Sequence, residues 1–292
     1  MQHRTLGKTG LSVSVLGFGG SETGYGAASV KTVEKILAGA IDAGLNFIDT
    51  AECYGDGEDL IGRAISHRRS EFHLATKCGH SDGLGGRDWQ PATLEKSIDR
   101  SLKRLRTDCV DLLQLHSCSA DTLERGGVID VLKRARDAGK TRFIGYSGDG
   151  DDALYAVRTG EFDTLQNSVS IADQEAIDLV LPEAVRRNLG VIAKRPIANA
   201  AWITHDGYSR PYYDRLRVLD YDFLRRDDAA GVALRFTLST PGVHTAIVGT
   251  SRPGRFEHNA ASLAAGPLPK AQYERIRTRW RDVAKLTWHG QM

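Results

Sequence analysis

The apolar positions of this chain change period along its length, and the changes mark its elements. Stretches such as VDLLQLH (110–116) and GVIAK (190–194) are near-continuous apolar runs of strand length. Runs of this kind suit strands covered on both faces, as in a parallel sheet. Between them, apolar residues recur at the spacing of an amphipathic helix. The pattern predicts helices over 30–43, 58–67, 92–105, 128–138, 151–159, 174–188 and 229–239. It predicts strands over 46–49, 72–77, 110–116, 142–147, 164–170, 190–194 and 244–248. The opening RTLGKTGLSVSVLGFGG reads as two extended runs around Gly7-Lys8-Thr9-Gly10, a hairpin signal. The second run leads into a first core strand near 13–18. A long loop follows the strand at 190–194, and helices from about 254 and over 270–285 close the chain.

Strand and helix alternate in eight βα units spaced by roughly 30–40 residues, the pattern of an α/β fold closed as a (β/α)8 TIM barrel. The expected architecture is that barrel, with an N-terminal β-hairpin and a C-terminal helix. An open doubly wound sheet is the rival, and the count of eight favours closure. No Pro-rich or Ser-rich linker interrupts the 292 residues, so one barrel domain over 1–292 is expected. Apolar residues at 41% and charged residues at 26% are enough for a full core. A net charge of +2 gives no general attraction to nucleic acid or membrane, so neither is expected as a partner. The apolar runs are only strand-length, and MQHRTLGKTG carries no apolar signal segment. Cys53, Cys78, Cys109 and Cys118 are then read as reduced thiols of a cytoplasmic protein.

In a parallel barrel the chemistry gathers where strands end and βα loops begin. Asp49 ends the second strand and Tyr54 lies in its loop. Lys77 ends the third strand and His116 the fourth. Ser147 ends the fifth, Gln166 lies in the sixth, Lys194-Arg195 end the seventh, and Gly249-Thr250-Ser251 follow the eighth. A strand-end lysine or histidine is more often structural than catalytic. Four such groups on consecutive strands point further. A phenol is a poor acid or base at neutral pH. An ammonium beside it favours the phenolate, and a carboxylate holds that ammonium charged. An imidazole can orient a polarised oxygen. With no activated serine in the set, it fits proton transfer in carbonyl reduction better than acyl transfer.

The motifs IDTAECYG, LATKC, LLQLH, FIGYSG, TLQNS and IVGTSRPGRFEHN, in that order, resemble those of the aldo-keto reductases. The resemblance spans nearly the whole chain. It implies Tyr54 as general acid/base, Lys77 as the tuner of its pKa, Asp49 as the partner of Lys77, and His116 as the group that orients the carbonyl. It implies a nicotinamide cofactor, usually NADPH, extended across the barrel mouth, and a small-molecule carbonyl or alcohol substrate. Ser147 and Gln166 match contacts to the carboxamide. Within Thr250-Ser251-Arg252-Pro253-Gly254-Arg255, helix-start amides and two arginines suit a phosphate. Arg255 matches the family's basic position and Asn259 an adenine contact. Thr250 stands where many members carry lysine, which leaves NADH possible. Gly148 replaces a common asparagine, and Lys194 with Arg195 replaces an aromatic that stacks on nicotinamide. Lys194 or Arg195 is therefore assigned to the cofactor pyrophosphate or an acidic substrate group.

Two other readings compete. Gly148-Asp149-Gly150-Asp151-Asp152-Ala153 matches a dinucleotide-binding loop, but its aspartates would repel a pyrophosphate and are read as a helix start. Cys53, Cys78, His116 and Cys118 are soft enough for zinc, yet none shows C-x-x-C spacing, and no metal is expected. Barrels of the resembled family also serve as cofactor-sensing subunits with little turnover. Tyr25, Trp89 and the aromatics Trp202, Tyr208 and Tyr212 of segment 198–216 are candidates for the substrate rim. The short tail after the last helix predicts an open pocket.

Overall fold

The computed structural model describes every residue except Ala27, His205, Asp206 and Met292. Of these, His205 and Asp206 belong to the loop read as a source of rim aromatics, and Met292 ends the tail. An antiparallel hairpin of β1 (His3–Thr5) and β2 (Ser12–Ser14) precedes the barrel, turning through Gly7–Thr9. The barrel strands are β3 (Leu16–Gly19), β4 (Phe47–Asp49), β5 (His73–Cys78) and β6 (Val110–His116). They continue as β7 (Thr141–Ser147), β8 (Thr164–Ser168), β9 (Gly190–Lys194) and β10 (Thr245–Val248). All pair in parallel, and β10 returns to β3, closing the sheet. Among the described residues no helix is long and apolar enough to cross a membrane.

The two-residue period of a strand sorts the side chains into an inner and an outer set. Outward residues Ile48, Leu74, Leu113, Leu115, Ile144, Leu165 and Val191 pack under the surrounding helices. Inward residues Phe47, Ala75, Leu112, Ile192 and Ile247 join Leu6, Leu11 and Val13 of the hairpin in a separate apolar cluster. Hairpin residues thus share the barrel interior, and fully burying each is worth about 1.5–3 kcal/mol. Two residues along the same inward rows come Asp49, Lys77, Gln114 and Lys194. One face of each strand therefore changes from apolar to polar as it nears its C-terminal end.

The helices follow local signals. The Ser29 side chain caps Val30–Asp42 by accepting from the Thr32 amide at 3.1 Å. Pro91 opens Pro91–Leu105, and Arg106 ends it in the left-handed conformation. Three sequence expectations change. The helix expected over 174–188 is two, Glu175–Leu179 and Leu181–Arg186, because Pro182 begins a new helix and cannot continue an old one. The long loop contains the helix Arg210–Leu219, whose Tyr212, Leu216 and Leu219 are buried against Phe236 and Trp280. The sixth strand stops at Ser168 rather than 170.

Gly145 on β7 faces the interior. A Cβ there would lie 2.2 Å from Thr164 Oγ1 and 3.1 Å from Gln114 Cγ. The missing side chain leaves the space through which Gln114 reaches Asp49. Gly145→Ala is expected to cost about 1–3 kcal/mol by overpacking, read as a lowered midpoint in denaturant titration. An unchanged midpoint would show that the interior yields there.

Candidate active site

Asp49 lies at the centre of the polar layer. Its Oδ2 accepts from Lys77 Nζ at 2.6 Å. Its Oδ1 accepts from Gln114 Nε2 at 3.1 Å and Gln166 Nε2 at 2.9 Å. Ser147 Oγ donates to Gln166 Oε1 at 2.8 Å, fixing that carboxamide. Lys77 Nζ also donates to the Thr50 carbonyl at 2.7 Å. The strand register sets up these contacts: Lys77 pairs with Gln114, His116 with Ser147, and Ser147 with Gln166. Burial works against the Lys77 ammonium, but Asp49 and then Tyr54 hold its pKa above the ordinary value.

Lys77 Nζ stands 4.9 Å from the centroid of the Tyr54 ring. Burial raises the Tyr54 phenol to about 12, and Lys77 opposes that rise without cancelling it. This corrects the expectation of a lowered phenol pKa: in this pocket desolvation exceeds the attraction to the ammonium. Tyr54 is a protonated donor at neutral pH. The His116 ring meets the Tyr54 ring edge-on at 5.6 Å. Burial, and then Lys77, keeps the His116 pKa well below its usual value, so the imidazole is neutral. His116 Nδ1 lies 3.4 Å from Cys53 Sγ, and burial pushes that thiol up to about 12. A protonated thiol donates to Nδ1 and leaves the His116 proton on Nε2. The run of rings continues through His80, 5.3 Å from His116, to Trp89, 5.1 Å from His80. Tyr25 is exposed, donates to the Cys53 carbonyl at 2.9 Å, and lies 5.9 Å from Tyr54.

The carboxylate, ammonium, phenol and imidazole named from sequence therefore come together, as do Ser147 and Gln166. The profile of the Aldo/keto reductase family matches residues 15–281. The chain belongs to the aldo/keto reductase family. It is an NAD(P)H-dependent oxidoreductase of that family. It is 30% identical to the L-galactose dehydrogenase of Arabidopsis thaliana, over 98% of this chain and 96% of that protein. It is 27% identical to the D-threo-aldose 1-dehydrogenase of a Pseudomonas species, over 87% of this chain and 91% of that protein. Its fold matches the holo form of an aldo-keto reductase from Bacillus halodurans with a TM-score of 0.86 at 24% identity, over 99% of both chains.

Toward the family's cofactor, the residues present two groups of cations. Arg252 and Arg255 are exposed around the start of helix Arg255–Ser262, and among the described residues neither forms an ion pair. Thr250 Oγ1 accepts from the Arg252 amide at 3.0 Å, shaping the turn, and Asn259 is buried behind it. Free guanidinium groups beside helix-start amides fit a phosphate. Gly249 and Ser251 flank Thr250 at the same rim. Lys194 and Arg195 lie elsewhere, at the end of β9. Lys194 Nζ is 2.9 Å and Arg195 Nη1 3.7 Å from Asp149 Oδ2. Asp149 also accepts from the Ser168 amide at 2.7 Å. It is thus a buried ion-pair partner, whereas Asp151 and Asp152 stand in the first helical turn as expected.

Sequence reasoning missed Gln114 and His80, and grouped Cys53 with Cys78 and Cys118 rather than with His80. Gln114 stands two residues before His116 on one strand face, a signal present in LLQLH. Cys53 and His80 join His116 only through the fold, each offering one ligand atom within 4.8 Å of the others. Cys78 and Cys118 are buried and do not enter that group. Of the loop aromatics, Tyr212 is fully buried core, Trp202 packs against the same cluster, and Tyr208 accepts from Arg195 Nε at 2.9 Å.

Glu52, between Ala51 and Cys53, is fully buried. Its Oε1 accepts from the His80 amide at 3.1 Å, while Oε2 has no partner among the described residues. Burial raises its carboxyl from an ordinary 4.5 to about 8; neighbouring Glu58 adds to the rise and Lys77 opposes it. The folded state keeps a proton that the unfolded chain releases above about 4.5, so stability falls as pH climbs from there to about 8. Glu52→Gln is expected to flatten this fall. Equal slopes of melting temperature against pH in both proteins would contradict it.

Proposed function

We propose that the chain reduces aldehydes or ketones to alcohols with NADPH, or runs the reverse reaction, with Tyr54 as general acid/base. The observation that carries this reading is the placement of Lys77 beside the Tyr54 ring, with its charge held by Asp49 and Thr50. When bound, the reduced nicotinamide supplies the hydride. Tyr54 gives its phenolic proton to the carbonyl oxygen as charge develops there. Lys77 stabilises the phenolate left behind. His116, neutral and protonated at Nε2, donates a hydrogen bond that orients the same oxygen. Ser147 and Gln166 would hold the carboxamide end of the cofactor, and Gly249, Thr250, Ser251, Arg255 and Asn259 its adenosine end. Lys194 and Arg195 oppose two cations to the single carboxylate of Asp149, and this excess meets an anionic group of cofactor or substrate.

The substrate class we propose is a sugar or a similar polyhydroxylated compound. Both relatives named above carry a sugar in their names. The rings of His116, His80 and Trp89, set edge to face, offer ring faces beside polar edges, which suits the faces and hydroxyls of such a molecule.

The test combines cofactor titration with turnover on a panel of aldoses and simple aldehydes. Tyr54→Phe is expected to lower kcat at least about 100-fold while leaving NADPH affinity intact. Arg255→Ala is expected to weaken NADPH about tenfold, near 1.4 kcal/mol, and leave NADH unchanged. Replacing Lys194 and Arg195 together by Met is expected to shift the cofactor or substrate constant. Undiminished turnover in Tyr54→Phe would remove the proposed mechanism. Equal loss of both cofactors in Arg255→Ala would remove the phosphate assignment.

A further inference from the structure

The mouth of the barrel holds a ligand set that shares His116 with the proposed proton-transfer groups and adds Cys53 and His80, which that reaction does not require. Cys53 Sγ and His116 Nδ1 lie 3.4 Å apart. A tetrahedral zinc site, with Zn–S near 2.3 Å and Zn–N near 2.0–2.1 Å, separates sulfur and nitrogen by about 3.5 Å. This pair therefore already stands at the edge length of such a site. His80 supplies the third donor, within 4.8 Å of the other two, and about 1 Å of side-chain movement completes the set.

His80 is also held as a ligand would be. Its Nδ1 meets Asp88 Oδ2 at 3.1 Å, and Asp88 Oδ1 accepts from the Ser81 amide at 2.7 Å. A carboxylate on one ring nitrogen fixes the tautomer and frees the other nitrogen, the outer arrangement found around metal-bound histidines. A thiolate and two imidazoles select zinc-like ions over magnesium or calcium. All three residues are half-buried, so solvent and ions reach them.

We infer that Cys53, His80 and His116 form a binding site for a soft divalent cation such as Zn²⁺, whose occupation blocks the carbonyl pocket. On binding, Cys53 releases its thiol proton to solvent. The sulfur and two neutral ring nitrogens then bind the ion, and water takes the fourth position. His116 keeps its Nε2 proton, but the side-chain movement that completes the site shifts that donor away from the substrate oxygen. The binding itself is independent of the proposed reaction; the blocking rests on it.

The experiment titrates tag-free protein with Zn²⁺ by calorimetry and with Co²⁺ by absorption. One ion per chain is expected. Cys53→Ala and His80→Ala should each weaken binding tenfold or more, and Asp88→Asn about tenfold. An unchanged thermal midpoint shows that each variant is folded. Zn²⁺ should inhibit carbonyl reduction competitively with the carbonyl compound, and inhibition should weaken in His80→Ala. Absence of one-to-one binding, or full affinity in either ligand variant, would overturn the site and leave a thiol–imidazole hydrogen bond. Wild-type turnover unaffected by bound Zn²⁺ would overturn the blocking. If no carbonyl compound is turned over, the proposed reaction fails and the binding titrations still decide the site.

Discussion

The Lys77–Asp49 ion pair is the interaction on which the rest of the barrel mouth depends. Both side chains are almost completely buried. Each charge is tolerable only because the other is present, and stranding one costs about 3–5 kcal/mol. Asp49 receives donors from β5, β6 and β8, and Ser147 on β7 holds the β8 donor. One carboxylate on β4 therefore ties five consecutive strands together at their C-terminal ends. The same pair fixes the ammonium beside Tyr54, and Lys77 adds to the burial that keeps His116 neutral.

A second charged cluster lies at the end of β9. Asp149 gathers Lys194, Arg195 and Ser168, and Arg195 reaches on to Tyr208. Burial lowers the Lys194 pKa and Asp149 opposes that fall. The C-terminal tail closes over this cluster: the His289 carbonyl accepts from Arg215 at 2.5 Å, and Gly290 packs so tightly on Asp149 that a Cβ would lie 2.2 Å from its Cγ. The tail that sequence left as a short end thus covers the β7–β9 side of the rim, while Tyr25 and Trp89 line the other.

The barrel was legible because a strand covered on both faces must be apolar throughout, and its polar residues must fall at its ends. VDLLQLH and GVIAK carry that signature in their own letters. The helix at 210–219 was equally present, since Tyr212, Leu216 and Leu219 keep helical spacing, but its aromatics also suit a substrate rim. Pro182 marks the break between Glu175–Leu179 and Leu181–Arg186, but the continuous apolar spacing on either side of it reads as one helix. Asp149 lay beyond local reading: in GDGDDA it looks like a solvated helix start, and only the closed barrel brings Lys194 to it. The direction of the Tyr54 shift was hidden for a related reason. A neighbouring ammonium can be named from sequence, whereas the depth of burial that outweighs it is a property of the whole fold.

The central claim is that Tyr54, a protonated phenol with a pKa near 12, is the group that exchanges the proton. The most direct test is the pH profile of kcat/KM for alcohol oxidation, where Tyr54 must act in its scarce basic form. The rate constant is predicted to rise about tenfold per pH unit between about pH 6 and 9, because the phenolate fraction grows at that rate. A flat profile over the same range would assign the base to another group and contradict the account.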